Sequence, residues 1–129
     1  MASTRKVIMS NKIHQPGVPL SHAVKIGNVV WVSGTTPFGP NREMAPDFAG
    51  QMHSVMKSVT EVLKEAGSDL ERVAKVNVIL TRISDFAEMN TIYRQYFKEG
   101  NYPARTTVEA PLAADGMLLE IECVAECDA

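Results

Sequence analysis

The stretch Leu118-Leu119-Glu120-Ile121-Glu122-Cys123-Val124-Ala125 decides the fold of this chain. Apolar residues recur at every second position, which is the period of a β-strand with one buried face. The other face carries two carboxylates, Glu120 and Glu122, between Leu118 and Val124. A strand of this kind predicts a sheet that packs against helices on one face only. The buried face is predicted to contain Leu119, Ile121, Cys123 and Ala125.

The other strands are predicted from apolar and β-branched segments that lie between turns. The dipeptide Gly27-Asn28 separates apolar segments at 23–26 and 29–33, so these segments are expected to pair as a hairpin. Residues 35–46 contain three prolines and a glycine, which is typical of a loop. The remaining strands are predicted at 73–80, 105–110 and 117–125, with an additional one around Val7-Ile8.

Two amphipathic helices alternate with these strands. From Asp47 to Ala66 the apolar residues recur at helical spacing, with Asp47 placed to cap the first turn and Gly67 placed at the C-terminal stop. A second helix is predicted from 85 to 98, with Gly100 ending it. Its buried stripe is predicted to contain Phe86, Met89, Ile92, Tyr93, Tyr96 and Phe97.

The resulting order is β-β-α-β-α-β-β, an α+β fold that forms a single domain over residues 1–129. Two helices can cover only one face of such a sheet, so the other face must be solvated or buried by further subunits. Residues 29–32 are apolar on both faces, which favours an oligomer.

Composition excludes several classes of protein. A net charge of −2 gives no general attraction to nucleic acid, and no apolar run is long enough for a membrane helix. The first residues lack the long apolar segment of a signal peptide, so none is predicted, and a cytoplasmic location is expected.

Cys123 and Cys127 are interpreted as reduced thiols, with Cys127 on a frayed tail, and no histidine has metal-site spacing with them. The sequence has no phosphate loop, metal motif or catalytic triad, so chemistries that depend on them are not first choices, and hydrolysis that needs little assistance from the protein remains.

Two charged side chains are the main catalytic candidates. Arg105 follows a Pro-Ala turn at a strand start, and its planar guanidinium suits a carboxylate ligand. The alternative is an ion pair with Glu109 or another acid. Glu120 can position a water, or it can be a structural carboxylate paired with Arg105 or with a lysine of another subunit. Glu122 shares the face of Glu120, and alternation alone cannot choose between them.

Four further residues are candidates for ligand contact. Thr107 can present a hydroxyl or be an ordinary strand former, and Ser33-Gly34 can offer a backbone amide or be a simple turn. Asn90, in the second helix, can line a pocket or brace a loop.

Several short motifs follow one another along nearly the whole chain from about residue 13: Ser33-Gly34, Gln51, the Gly67 helix stop, Asp85-Phe86-Ala87 with Asn90 and Tyr93, Pro103-Ala104-Arg105, and Glu120-Ile121-Glu122. In this order they resemble the Rid/YjgF family of reactive intermediate deaminases.

The resemblance implies a chorismate-mutase-like fold assembled as a homotrimer, with the sheets facing a central barrel and three clefts between subunits. It implies hydrolysis of enamines or imines, such as 2-aminoacrylate, to 2-oxo acids and ammonia without metal or organic cofactor. Arg105 would grip the substrate carboxylate, and Glu120, rather than Glu122, would orient the attacking water. The rest of the cleft would be lined by Ser33, Gly34, Asn90 and the strand around Thr107.

The chain also departs from the family pattern. Leu20, in Val18-Pro19-Leu20-Ser21-His22-Ala23, replaces a cleft tyrosine, and Thr107 stands where many members carry cysteine. Ala113-Ala114 replaces a usual Leu-Pro, and the loop 35–46 lacks the usual glycine turn. These changes suggest a substrate bulkier or more apolar than 2-iminopropanoate.

Three alternatives to an imine or enamine deaminase stay open at this point. One is a narrower aminomuconate-type deaminase, and another is a non-catalytic trimer that binds small carboxylates through Arg105. The third, an RNA-cleaving protein, is disfavoured by the negative net charge and by the lack of a basic-aromatic stripe.

Overall fold

The protein, described here by a computed structural model over residues 3–129, is a six-stranded sheet with two helices on one face. The strands are Lys6–Ile8 (β1), Ala23–Ile26 (β2), Val29–Thr35 (β3), Val73–Leu80 (β4), Ala104–Glu109 (β5) and Leu119–Glu126 (β6). The helices are Phe48–Glu65 (α1) and Phe86–Tyr96 (α2), and short 3₁₀ turns lie at Leu70–Arg72 and Ile83–Asp85.

The sheet has the order β1-β2-β3-β6-β4-β5. Only β4 and β5 run parallel, because α2 returns the chain to the same end of the sheet between them; the other neighbours are antiparallel. The predicted α+β architecture and the additional N-terminal strand are confirmed. The last strand, β6, lies inside the sheet between β3 and β4, whereas β5 forms an edge.

Strand β6 alternates between a buried and an uncovered face, as predicted. Its apolar set faces the helices, and each of its members is at most 3% exposed: Leu119, Ile121, Cys123 and Ala125. Glu120, Glu122 and Val124 face the uncovered side, called the open face below. Leu118 was predicted on that open face, but β6 begins one residue later. The Leu118 amide donates to Gln51 Oε1 at 2.8 Å, and its side chain packs partly buried against the core.

The first helix keeps its predicted bounds, but the two ends are stabilised differently. Asp47 occupies the N-cap position with extended backbone, yet its side chain makes no capping hydrogen bond. At the other end Gly67 has φ +77°, and the Ser68 amide donates to the Leu63 carbonyl at 2.8 Å. This is the six-to-one hydrogen bond of a Schellman motif, for which glycine is the favoured residue.

The second helix is shorter than the predicted 85–98, because a 3₁₀ turn precedes it and the chain becomes extended at Phe97. Two residues of the predicted buried stripe are not buried. Phe86 is 39% exposed at the first turn, and Tyr96 is only partly buried at the last. The residues of the stripe that do enter the core are Met89, Ile92, Tyr93 and Phe97.

The tail after β6 is more ordered than predicted. Cys127, expected on a frayed end, is 1% exposed, and its amide donates to the Asn28 carbonyl at 2.8 Å. Cys123 and Cys127 are both buried free thiols, and burial and the nearby Glu122 carboxylate raise the pKa of Cys123 to about 12.

Candidate active site

Arg105 lies on the edge strand β5, on the face that carries α2. Its guanidinium carbon is 4.8 Å from the centroid of the Tyr93 ring and 5.7 Å from that of Phe86. Its Nη1 lies 3.8 Å from the sulfur of Met89. The side chain is half-buried and is held by aromatic rings and a thioether rather than by an acid.

The ion pair between Arg105 and Glu109, the alternative left open by the sequence, is not formed. Glu109 accepts a hydrogen bond from the Ile83 amide at 2.7 Å. Within residues 3–129, Arg105 has no carboxylate oxygen within 4.0 Å, although other arginines do. Apart from the Nη1 donor that contacts the Met89 sulfur, its N–H groups are therefore available to an external carboxylate.

A cavity of about 410 Å³ opens beside this guanidinium. The structure thus brings together Arg105 and Asn90, two of the predicted site residues, from a strand and a helix that are adjacent in space. The cavity is lined by Asn90, Tyr93, Arg94, Tyr102, Pro103 and Arg105.

Thr107 lies two residues farther along β5 on the same face as Arg105, since both pair with buried residues of β4. Its Oγ1 is buried and has no hydrogen-bond partner among the described residues, and the same holds for the hydroxyl of Tyr93. Buried hydroxyls without partners are rare in native proteins, because each one costs its lost hydration. The two hydroxyls both belong to the layer between β5 and α2.

Glu120 occupies a different environment, on the open face against β3. The pairing of β3 with β6 shifts register between Val32 and Thr35, and this bulge places Gly34 directly beside Glu120. A Cβ at Gly34 would overlap the Glu120 carboxylate, so the absence of a side chain there is what admits it. Ser33, adjacent to Gly34, donates its hydroxyl hydrogen bond to the Ser21 carbonyl.

The two glutamates that alternation could not separate differ in their surroundings. Glu122 is exposed and accepts a hydrogen bond from Asn77 Nδ2 at 2.8 Å. Glu120 is half-buried, and within residues 3–129 its carboxylate receives no hydrogen bond or ion pair. Burial, together with the nearby Glu122 charge, raises the pKa of Glu120 above that of an ordinary glutamate. The two carboxylates therefore differ in burial and in hydrogen bonding, although they share one face of β6.

Leu20 belongs to the Glu120 side rather than the Arg105 side. It is 45% exposed, in a loop whose neighbouring residues are tied to β3: the Ser33 amide donates to the His22 carbonyl at 3.0 Å. The predicted site residues therefore form two groups. Arg105, Asn90 and Thr107 lie between β5 and α2. The other group contains Glu120, Gly34, Ser33 and, at its margin, Leu20.

One chain does not bring these two groups into a single cavity. Arg105 pairs with the buried Val76 and so faces the helices, whereas Glu120 pairs with Ile79 and faces away from them. Strand β4 also lies between β5 and β6. The sequence predicted both residues for one site but did not indicate that they lie on opposite faces of the sheet.

Tyr93 was predicted as part of the core and was one of the residues that carry the family resemblance, but no role in the site was assigned to it. It is 4% exposed, but it also lies beneath the Arg105 guanidinium and lines the cavity. No local signal could have shown this, because the contact joins residues from two elements that are distant in sequence. Within the described part of the chain no group of three or more His, Cys, Asp or Glu is placed to hold a metal ion.

Comparison with known proteins identifies the family of this chain. Residues 10–127 match the sequence profile of the family described as Endoribonuclease L-PSP. The chain belongs to the Rid family, also called YjgF or RutC.

Among the Rid relatives is the human protein named 2-iminobutanoate/2-iminopropanoate deaminase. It is 35% identical over 123 residues, which are 94% of this chain and 89% of the human one. The Schizosaccharomyces pombe protein named mmf2, mitochondrial, is 39% identical over 112 residues, covering 84% and 88% of the two chains. The crystal structure of RidA from an Antarctic Psychrobacter superposes with a TM-score of 0.89 at 34% identity, covering 94% and 98%.

Proposed function

We propose that this protein hydrolyses reactive 2-imino and 2-enamino acids to 2-oxo acids and ammonia. The observation that carries the proposal is the half-buried guanidinium of Arg105, which lines a cavity of about 410 Å³ and has no acidic partner in the described chain. Such a group suits one planar carboxylate in a bidentate contact. The Rid relative in human, named as an imine deaminase, supports the same reaction class.

For this reaction the protein mainly needs to position the substrate and the attacking water and to transfer a proton. Water adds to the iminium carbon, the C–N bond breaks with its electron pair going to nitrogen, and both water protons leave on the nitrogen as ammonium. Arg105 would hold the carboxylate, while Glu120 would take a proton from the attacking water and return it to the leaving nitrogen. Its raised pKa makes this carboxylate a better proton acceptor than an ordinary glutamate.

The two residues can act on one substrate if the site lies between copies of the chain. We therefore propose a homotrimer with the open faces turned toward a central barrel, so that Arg105 of one subunit meets Glu120 of the next. Large apolar side chains on the open face support the burial of this surface: Trp31 is 45% exposed and Val108 is 47% exposed. The test is the mass in solution, which should be about three times the 14.1 kDa of the chain.

The activity is tested with imines generated from several amino acids by an amino-acid oxidase, with the remaining imine trapped by semicarbazide. We expect the wild type to accelerate imine loss and Arg105→Ala to abolish the acceleration. Arg5→Ala, an exposed arginine outside the site, is the matched control. Wild-type trimer that accelerates the loss of none of these imines would contradict the proposal.

We propose that Leu20 sets which imine side chains the site accepts. An exposed leucine in place of a tyrosine hydroxyl favours imines with larger apolar side chains over 2-iminopropanoate. Restoring the hydroxyl with Leu20→Tyr should lower the ratio of kcat/KM for the leucine-derived imine to that for the alanine-derived one. Equal kcat/KM for both imines in the wild type would contradict this range.

The second candidate is a non-catalytic trimer that binds small carboxylates. Its support is that the Arg105 cavity is formed within one chain without Glu120. Such a protein would bind 2-oxobutanoate with the same affinity in the wild type and in Glu120→Gln, and it would turn over no imine. The aminomuconate-type and RNA-directed alternatives have no specific support in this geometry.

We also propose the cytoplasm as the location. Within residues 3–129 neither helix could cross a membrane. The S. pombe relative is named as mitochondrial, so fractionation of the native cells, with detection of the untagged protein, is the deciding measurement.

A further inference from the structure

The way in which Arg105 is held suggests a role for a residue that does not touch the substrate carboxylate. An acidic partner would hold the guanidinium through its in-plane N–H donors and would compete with the substrate for them. An aromatic ring holds it through its face instead, which leaves those donors free. Tyr93, whose ring centroid is 4.8 Å from the guanidinium carbon, provides such a surface.

The ring of Tyr93 is rigidly placed. It is 4% exposed, it projects from the last turn of α2, and it packs against Phe97 with ring centroids 4.5 Å apart. Met89, one turn earlier on the helix, is fully buried and contacts the same guanidinium. Packing of this kind pre-organises the guanidinium, which reduces the entropy lost when Arg105 binds a ligand.

The hydroxyl of Tyr93 does not account for the contact. It has no hydrogen-bond partner among the described residues. Burial raises the pKa of Tyr93 to about 12, against the opposing effect of the Arg105 charge, so the phenol is neutral at physiological pH. The attraction is therefore between a cation and a ring face rather than between two charges.

We propose that Tyr93 is a positioning residue: its ring face holds the Arg105 guanidinium at the cavity and occupies none of the N–H donors, so that those not engaged by Met89 can bind a carboxylate. Phe86, with its ring 5.7 Å from the guanidinium carbon and 39% exposed, provides a second aromatic contact. The inference rests on the proposed function only in taking Arg105 as the carboxylate grip. It does not depend on turnover.

The test measures 2-oxobutanoate affinity by calorimetry and, in parallel, KM and kcat for the 2-aminobutanoate-derived imine. Tyr93→Met fills the core but lacks a ring face, so Kd and KM should rise about tenfold with kcat within about twofold. Tyr93→Phe keeps the ring and should keep Kd and KM within about twofold of wild type. Tyr96→Leu, an aromatic residue one turn away without contact to Arg105, controls for damage to α2.

Several outcomes would overturn the inference. Folded Tyr93→Met with wild-type Kd and KM would show that the ring does not position Arg105. An equal rise of Kd and KM in Tyr93→Phe would assign the effect to the hydroxyl. Failure of the wild type to bind 2-oxobutanoate would show that Arg105 does not bind a carboxylate in this way. If Tyr93→Met does not fold, Phe86→Leu replaces it, because Phe86 lies outside the core; a rise of about twofold to threefold in Kd is expected and an unchanged Kd overturns the proposal. Binding without imine hydrolysis would contradict the proposed function but not this inference.

Discussion

At the scale of single residues, the decisive feature is that Glu120 and Glu122 differ although they share one face of one strand. Glu122 is satisfied by Asn77, whereas Glu120 is half-buried against Gly34 with a raised pKa. A carboxyl group whose pKa is raised by folding destabilises the folded state when it ionises. The proposed activity needs an ionisable carboxyl group at this position, whereas its ionisation lowers the stability of the folded state. Two predictions concern this residue.

The first prediction concerns Glu120→Gln. The stability that wild-type Glu120 provides is present below its unfolded pKa, near 4.5, and is lost as pH rises through the higher folded value. The variant should therefore be more stable than wild type at about pH 7 and lose this advantage at about pH 4. Imine hydrolysis should fall by about 100-fold or more. Urea unfolding at both pH values and the semicarbazide assay measure the two effects.

Glu122→Gln is the matched control for this prediction, since it lies on the same strand and face but is exposed. It should retain wild-type activity. A larger loss of activity in Glu122→Gln than in Glu120→Gln would reverse the assignment of the two carboxylates.

The second prediction concerns Gly34→Ala. The new Cβ would overlap the end of the Glu120 side chain, which is flexible enough to move away, so stability should change by less than about 1 kcal/mol. Displacing the carboxylate should nevertheless lower kcat by about tenfold or more. Gly17→Ala, where a Cβ would meet no atom within 4 Å, is the control. Unchanged kcat in Gly34→Ala would argue that Glu120 is not used where the structure places it.

At the scale of elements, α1 is ended by backbone geometry rather than by packing. Gly67 has φ +77° and lies between the last helical turn and Ser68, whose amide closes the Schellman motif. Gly67→Ala should lower the free energy of unfolding by about 1 kcal/mol, because an L side chain is strained at this φ. The urea midpoint should decrease while KM and kcat stay unchanged. An unchanged midpoint would mean that the helix end relaxes at no cost.

At the scale of the whole molecule, the separation of Arg105 and Glu120 on opposite faces of one sheet makes a prediction for mixtures. Arg105→Ala and Glu120→Gln should each be inactive alone. When the two are unfolded together and refolded, mixed trimers should contain clefts with Arg105 from one copy and Glu120 from another. About a quarter of wild-type activity should return at equal amounts of the two variants. If the mixture stays inactive although mixed trimers are detected, each site must draw both residues from one chain.

Much of this protein was determined by local sequence. The alternation of β6, the hairpin around Gly27-Asn28, the Gly67 helix stop and the strand 73–80 all depend on near neighbours, and the structure confirms each of them. The sequence also allowed an arginine after a proline turn and a glutamate on the last strand to be named as candidate site residues, because this choice depends on residue type and on a period of two. The roles of Arg105 and Glu120 remain predictions.

Tertiary structure alone decided how these pieces meet. Strand order places β6 inside the sheet and β5 at its edge, and register then directs Arg105 toward the helices, opposite to the open face on which the alternation of β6 had placed Glu120. A period of two shows that a strand has two faces, but a short edge strand with few apolar residues does not show which face is inward. The contact of Arg105 with Tyr93 and the fit of Glu120 against Gly34 join segments that are distant along the chain. Such contacts depend on the packing of whole elements, and that packing is not encoded in any one stretch of residues.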